Sequence, residues 1–209
     1  QRKMETRKQA PEPERRFYSG TLEVRSTDSG DPEIFGYALK FGVSYDMGWF
    51  TEEIHRDALS KADMADVRIL FNHDVNQILG RTKSGTASVG VDEVGMWYRA
   101  SLPKSPIGDN VRAAIERGDV DQSSWGFTLR YEDDSTGDVW ERKNGRDHRT
   151  ITDVRKVWDA SPVTFPANPD TSVAKRSLEF RAQIPEQQQD QNNGAATAKA
   201  LAEATLALY

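Results

Sequence analysis

The chain has 209 residues, enough for one domain with tails or at most two small domains. A net charge of −5 leaves no basic footprint for DNA or RNA, and the absence of cysteine removes disulfides, thiolate zinc sites and a cysteine nucleophile together. With 36% hydrophobic and 29% charged residues the composition is polar for a compact fold, so part of the chain is expected to lie outside a packed core. No apolar run approaches the roughly 18 residues that span a membrane, and no signal peptide is expected ahead of the fold.

Residues 1–16 are charged, contain prolines and show no periodicity, and are expected to form a flexible arm. Residues 17–25 alternate as a first strand, 27–32 carry turn chemistry, and 34–41 read as a second strand. A loop over 46–50 precedes Thr51, which is placed to cap a short helix, with another helix or helical turn over 57–64. The apolar run 67–71 marks a buried strand and leads directly into Asn72-His73-Asp74. Residues 87–91 and 96–102 flank a turn at 92–95 and suggest a hairpin. The clearest helix is 106–118, with Asp109 as N-cap, Val111, Ala114 and Ile115 on one face, and Gly118 at the C′ position.

Residues 120–131 read as a strand in which Ser123, Trp125, Phe127, Leu129 and Tyr131 share the core face. Ser124 lies on the other face, where Gly126 leaves room for something to approach, while Ser123 points inward and packs. Residues 132–147 form an acidic, glycine-containing excursion, in which 133–138 are expected to be a hairpin tip rather than a calcium loop, since they lack the ordered acidic spacing and closing glutamate. A strand over 149–158 is expected to end at Asp159, and the three prolines that follow argue against a central strand beyond it. A short helix over 170–180, a glutamine- and asparagine-rich linker and an alanine-rich helix over 195–208 complete the chain. The pattern implies a mainly β (α+β) fold: a closed or nearly closed, mostly antiparallel barrel of about seven strands with peripheral helices. The implied organisation is an arm over 1–16, one domain over 17–181 and a tail over 182–209.

The three histidines are His55, His73 and His148, and none forms a metal-binding spacing; no metal or other cofactor is expected. His73 continues the apolar strand and, by alternation, shares a face with Val67, Ile69 and Phe71, where a histidine commonly only packs. Its functional reading requires a nucleophile and an orienting group. Ser124 supplies the first, and Asp159 or His148 the second, with Asp74 ranked behind them because it points the opposite way.

The ordered set Gly36-Tyr37-Ala38, Leu70-Phe71-Asn72-His73-Asp74, Leu79-Gly80-Arg81-Thr82, Gly85-Thr86, Ser124-Trp125-Gly126-Phe127 and Asp159-Ala160-Ser161-Pro162-Val163-Thr164-Phe165-Pro166-Ala167 resembles the prohead maturation proteases of tailed bacteriophages with HK97-type capsids. The resemblance implies a serine endopeptidase with a fold similar to herpesvirus assemblin, acting inside the immature prohead in the host cytoplasm. Its implied partners are the major capsid protein with its scaffold segment and the chain itself through autoprocessing, with a homodimer as a candidate assembly and no nucleic acid or membrane partner. It also implies Ser124 as nucleophile, His73 as base and Asp159 as third member, with His148 open because herpesvirus-type relatives use a histidine there. Family members often carry glutamate where Asp159 stands. Arg81 and Arg130 are candidates for oxyanion or substrate contacts. The competing expectations are a catalytically inactive scaffolding module on the same barrel and another serine hydrolase. The absence of a G-x-S-x-G elbow argues against an α/β-hydrolase.

Overall fold

In a computed structural model, residues 13–19, 22–27, 30–131 and 137–165 are described. Thirteen strands among them form three sheets, with one α-helix. The central sheet has the order β1 (Glu14–Ser19), β10 (Gln122–Leu129), β13 (Val154–Val163), β6 (Arg68–Phe71), β7 (Asp74–Arg81). A second sheet runs β11 (Asp138–Lys143), β12 (Arg146–Ile151), β5 (Phe50–Ile54), β4 (Tyr45–Asp46). The third runs β2 (Leu22–Ser26), β3 (Pro32–Lys40), β9 (Gly95–Ser101), β8 (Ala87–Val91). The mainly β class and the β8–β9 hairpin match expectation. The barrel does not: none of the three sheets closes on itself, and each keeps two edge strands. The pairing is mostly antiparallel, but β5–β12 and β6–β13 are parallel.

One core lies between the sheets. Ile34 of β3, Ile69 of β6, Met96, Tyr98 and Ala100 of β9, and Trp125 and Phe127 of β10 are fully buried in it. The one α-helix among the described residues, α1 (Pro106–Glu116), buries Val111 and Ile115. It starts four residues earlier than Asp109 implies, with Ser105 at the N-cap, Pro106 in the first turn and Asp109 as a first-turn carboxylate. Gly118 follows the helix with φ +79°, the left-handed conformation that its C′ position favours.

Several elements differ from expectation for identifiable reasons. The expected helix at Thr51 is β5, in which Phe50, Glu52 and Ile54 face inward. Glu52 breaks an apolar alternation on paper and satisfies it in space, because two buried arginines meet its carboxylate. The first strand begins at Glu14, inside the expected arm, and residues 17–25 belong to two strands rather than one. Within the excursion, β11 and β12 form a hairpin closed by Asn144-Gly145, both with positive φ as a type I′ turn requires. Most importantly, β13 is a central strand that runs through Pro162 to Val163. Its prolyl nitrogen donates nothing, but its carbonyl accepts from Asn72 N–H at 3.0 Å, so the backbone there remains tied to the β6–β7 turn. The expected helices over 170–180 and 195–208, the linker and the tail lie outside the described residues.

Candidate active site

The site is built on two adjacent central strands and one turn. In the β10–β13 register Ser124 faces Ser161 and Gly126 faces Asp159, so these four positions share one face of the sheet. Gly126 is necessary here. A Cβ at that position would overlap Asp159 Oδ1 and push the carboxylate away. The room beside Ser124 is therefore filled by Asp159 rather than left open, and both faces of β10 are buried. Ser123, on the opposite face, hydrogen-bonds Tyr98 Oη at 2.8 Å within the core, and burial pushes the Tyr98 phenol up.

His73 reaches this face from a tight turn, not from a strand. Phe71 pairs with Asp74, leaving Asn72-His73 as a two-residue loop with φ of 55° and 58°. Strand alternation therefore does not apply to His73. Asparagine tolerates left-handed backbone, and the Asn72 side chain also clasps the end of β13. Its Oδ1 accepts from Thr164 N–H at 2.8 Å and its Nδ2 donates to Thr164 Oγ1 at 3.1 Å. The turn is thus fixed over β13, with His73 aimed back across it. Asp74 faces away and accepts from Asn76 and Gln77.

The resulting chain of contacts is continuous. His73 Nε2 lies 2.6 Å from Ser124 Oγ, and His73 Nδ1 lies 2.5 Å from Asp159 Oδ2. Asp159 Oδ2 also accepts from Ser161 Oγ at 2.7 Å. A carboxylate on Nδ1 keeps the proton on that nitrogen and leaves Nε2 bare toward the serine. Ser161 fixes the carboxylate from the other side. It sits in the SPVTFPA run without an obvious role in the sequence, and the register opposite Ser124 supplies it. Ser124 is fully buried, and the His73 and Asp159 side chains are only 8% and 10% exposed.

The remaining candidates lie elsewhere. His148 is buried on β12, with its Nδ1 2.7 Å from Thr51 Oγ1 and its Nε2 3.8 Å from Glu53. Arg81 is held bidentately by Asp66, at 2.6 and 2.8 Å. Arg130 bonds the Asp153 carboxylate and the Lys61 carbonyl. His55 is exposed beside Asp57. No cluster of potential metal ligands occurs among the described residues, and no helix among them is long and apolar enough to cross a membrane.

A second feature touches Ser124. On its outer side, β1 pairs antiparallel with β10, and the Arg16 carbonyl lies 2.8 Å from Ser124 Oγ. The Arg16 side chain turns inward to Glu52, at 2.5 and 3.0 Å, and to Glu14 at 2.8 Å. Arg149, fully buried, bonds Glu14, Glu52 and Asp138. Burial alone would raise the Glu14 carboxyl, but Arg149 and Arg16 outweigh it and hold it at about 2. Burial dominates at Asp138, whose carboxyl is pushed up despite Arg149. In the sequence these charges are scattered over a polar arm (Glu14, Arg16), an expected helix (Glu52), an acidic excursion (Asp138) and a strand (Arg149), and nothing there joins them.

Residues 20–184 match the family model of the caudovirus prohead serine protease. No curated protein matches. Among solved structures, the bacteriophage T4 capsid assembly protease gp21 is similar at 14% identity and a TM-score of 0.46, over 76% of this chain and 100% of that one. The match to the family model spans most of the chain and takes in His73, Ser124 and Asp159, and the chain belongs to the caudovirus prohead serine protease family.

Proposed function

We propose that the chain is a serine endopeptidase that cleaves the scaffold segments of major capsid protein subunits inside the immature prohead, within the host cytoplasm, and that also processes its own chain. The observation that carries this reading is the unbroken contact series Ser124–His73–Asp159 at 2.6 and 2.5 Å. In it Ser124 Oγ attacks the peptide carbonyl carbon while His73 Nε2 takes the hydroxyl proton. Asp159 stabilises the imidazolium so formed and keeps its Nδ1 proton in place. The tetrahedral intermediate collapses to an acyl-serine as His73 returns the proton to the departing amine. A water then attacks the ester, giving up its proton through His73, and the acid product leaves with Ser124 restored.

Membership of the prohead protease family supports the substrate. A catalytically inactive assembly module would have no use for a serine, an imidazole and a carboxylate aligned in this order. The decisive experiment mixes the purified chain with the capsid protein of the same phage and maps new termini by mass spectrometry, beside fluorophosphonate labelling of Ser124. Labelling at Ser124 and new termini absent with Ser124→Ala are expected. An unlabelled, folded chain that leaves the capsid protein intact would identify it as an assembly module.

A further inference from the structure

We infer that β1 occupies the place of the substrate strand, and that an extended peptide carrying a basic side chain replaces it, with that side chain seated on Glu52. The inference rests on the protease reading above. Four observations carry it. Ser124 is fully buried, so no peptide carbonyl from outside reaches it while β1 stays. The peptide carbonyl already beside Ser124 Oγ, at 2.8 Å, belongs to Arg16 in a strand paired to β10 in extended conformation. Among the described residues that strand forms the sheet edge, paired on one side only, and it ends at Ser19, just before the family match begins at residue 20. Finally, Arg16, Glu52 and Trp125 line one cavity with Ala38, Ile54 and Met47. The buried Trp125 indole N–H finds no acceptor among the described residues.

Physical chemistry makes β1 exchangeable. Arg16 and Glu14 tie it through ion pairs with Glu52 and Arg149, whose desolvation cost cancels much of their attraction. Its departure uncovers a row of backbone donors and acceptors on β10, which an extended peptide pairs with as a new strand. Glu52 then loses a guanidinium partner, and an incoming arginine or lysine restores it. The docked β1 is also unproductive. It presents a carbonyl oxygen to Ser124 Oγ, and the single hydroxyl proton cannot serve both that oxygen and His73 Nε2. A substrate strand instead offers its carbonyl carbon. Hydrolysis follows the steps given above, consuming one water and leaving a carboxylate on the basic residue and an amine on the next.

The test uses the full chain with Ser19→Cys and Gln122→Cys, positions directly opposite in the β1–β10 register of a chain that has no other cysteine. Cleavage of a peptide with the Glu14–Ser19 sequence is measured before and after reduction, beside wild type. The oxidised form is expected to be slower by about tenfold or more, because the competent state is then scarcely populated. Equal rates in both states would overturn the exchange. In parallel, wild type is given the same peptide with the residue equivalent to Arg16 replaced by Lys, Leu or Glu. Arg and Lys are expected to lead Leu by about 10–100-fold in kcat/KM, with Glu slowest. Leu or Glu cleaved as fast as Arg would overturn the role of Glu52. Fluorophosphonate labelling separates the two levels: a labelled Ser124 with neither effect sinks this inference alone, whereas no labelling and no cleavage by folded wild type sinks the protease reading beneath it.

Discussion

Ser123 and Ser124 are neighbours in sequence with opposite duties, and their substitutions should separate cleanly. Ser124→Ala should lower peptide cleavage on the order of 10⁶-fold, because a nucleophile acts as a unit with its base. Ser123→Ala leaves the buried Tyr98 hydroxyl without its partner and should cost about 1–3 kcal/mol in denaturant unfolding, with little effect on rate. Comparable loss of rate from both, in folded protein, would contradict the geometry. The orienting role can be weighed in the same assay. Asp159→Asn should lower kcat by about 10²–10⁴-fold. Removing the 2.7 Å bond that Ser161 makes to the same carboxylate oxygen should cost far less, with Thr at 161 restoring it. His148→Ala should affect stability more than rate, since its ring is buried against Thr51 and not against His73. A folded His148→Ala chain more damaged in rate than Asp159→Asn would move the third role to His148.

At the scale of elements, the hairpin turn carries His73, the base of the proposed mechanism, and Asn72 is its fastener. Asn72→Gly keeps a residue that accepts φ 55° but loses both clasps to Thr164, whereas Asn72→Val loses the clasps and strains the turn. Peptide hydrolysis should fall by about tenfold in the first and by about 10²-fold in the second, the scale of a misplacement of about 1 Å. Unchanged kcat in both would mean that His73 is held by other contacts. The same turn shows what the sequence conveys and what it withholds. The three motifs that supply His73, Ser124 and Asp159 stand out as ordered residues, and the β8–β9 hairpin follows from its alternation and turn. Strand parity, however, put His73 on a core-facing row, because nothing in apolar patterning reveals that Asn72 and His73 adopt positive φ. Proline count likewise ended β13 at Asp159. That rule concerns a missing donor, and here Asn72 N–H meets the Pro162 carbonyl across the neighbouring gap. β1 was hidden most completely, since charges that neutralise each other inside a fold look like a solvated arm when read singly.

For the molecule as a whole, the buried ion network joins two sheets. Arg149 on β12 bonds Glu52 and Asp138 within its own sheet and Glu14 on β1 of the central sheet. Arg149→Met should therefore destabilise the whole chain, by about 3–5 kcal/mol, since removing one partner leaves the others buried and unmatched. The pH dependence distinguishes this cause from a packing defect. In wild type the Glu14 carboxyl sits at about 2, below its ordinary 4.5. Its contribution is present above 4.5 and is lost as pH falls from there toward 2. In Arg149→Met, Glu14 and Glu52 share the single guanidinium of Arg16, Asp138 loses its bond from Arg149, and the Asp138 carboxyl, already pushed up by burial in wild type, rises further. Its contribution has the opposite sign, favourable below the unfolded pKa and lost as pH rises through the folded one. The stability gap between variant and wild type should accordingly be widest near neutral pH and narrow on acidification, as denaturant unfolding across that range would show. Parallel curves would mean that the three carboxylates do not depend on Arg149 for their charge. The tie between the sheets would then rest on packing alone.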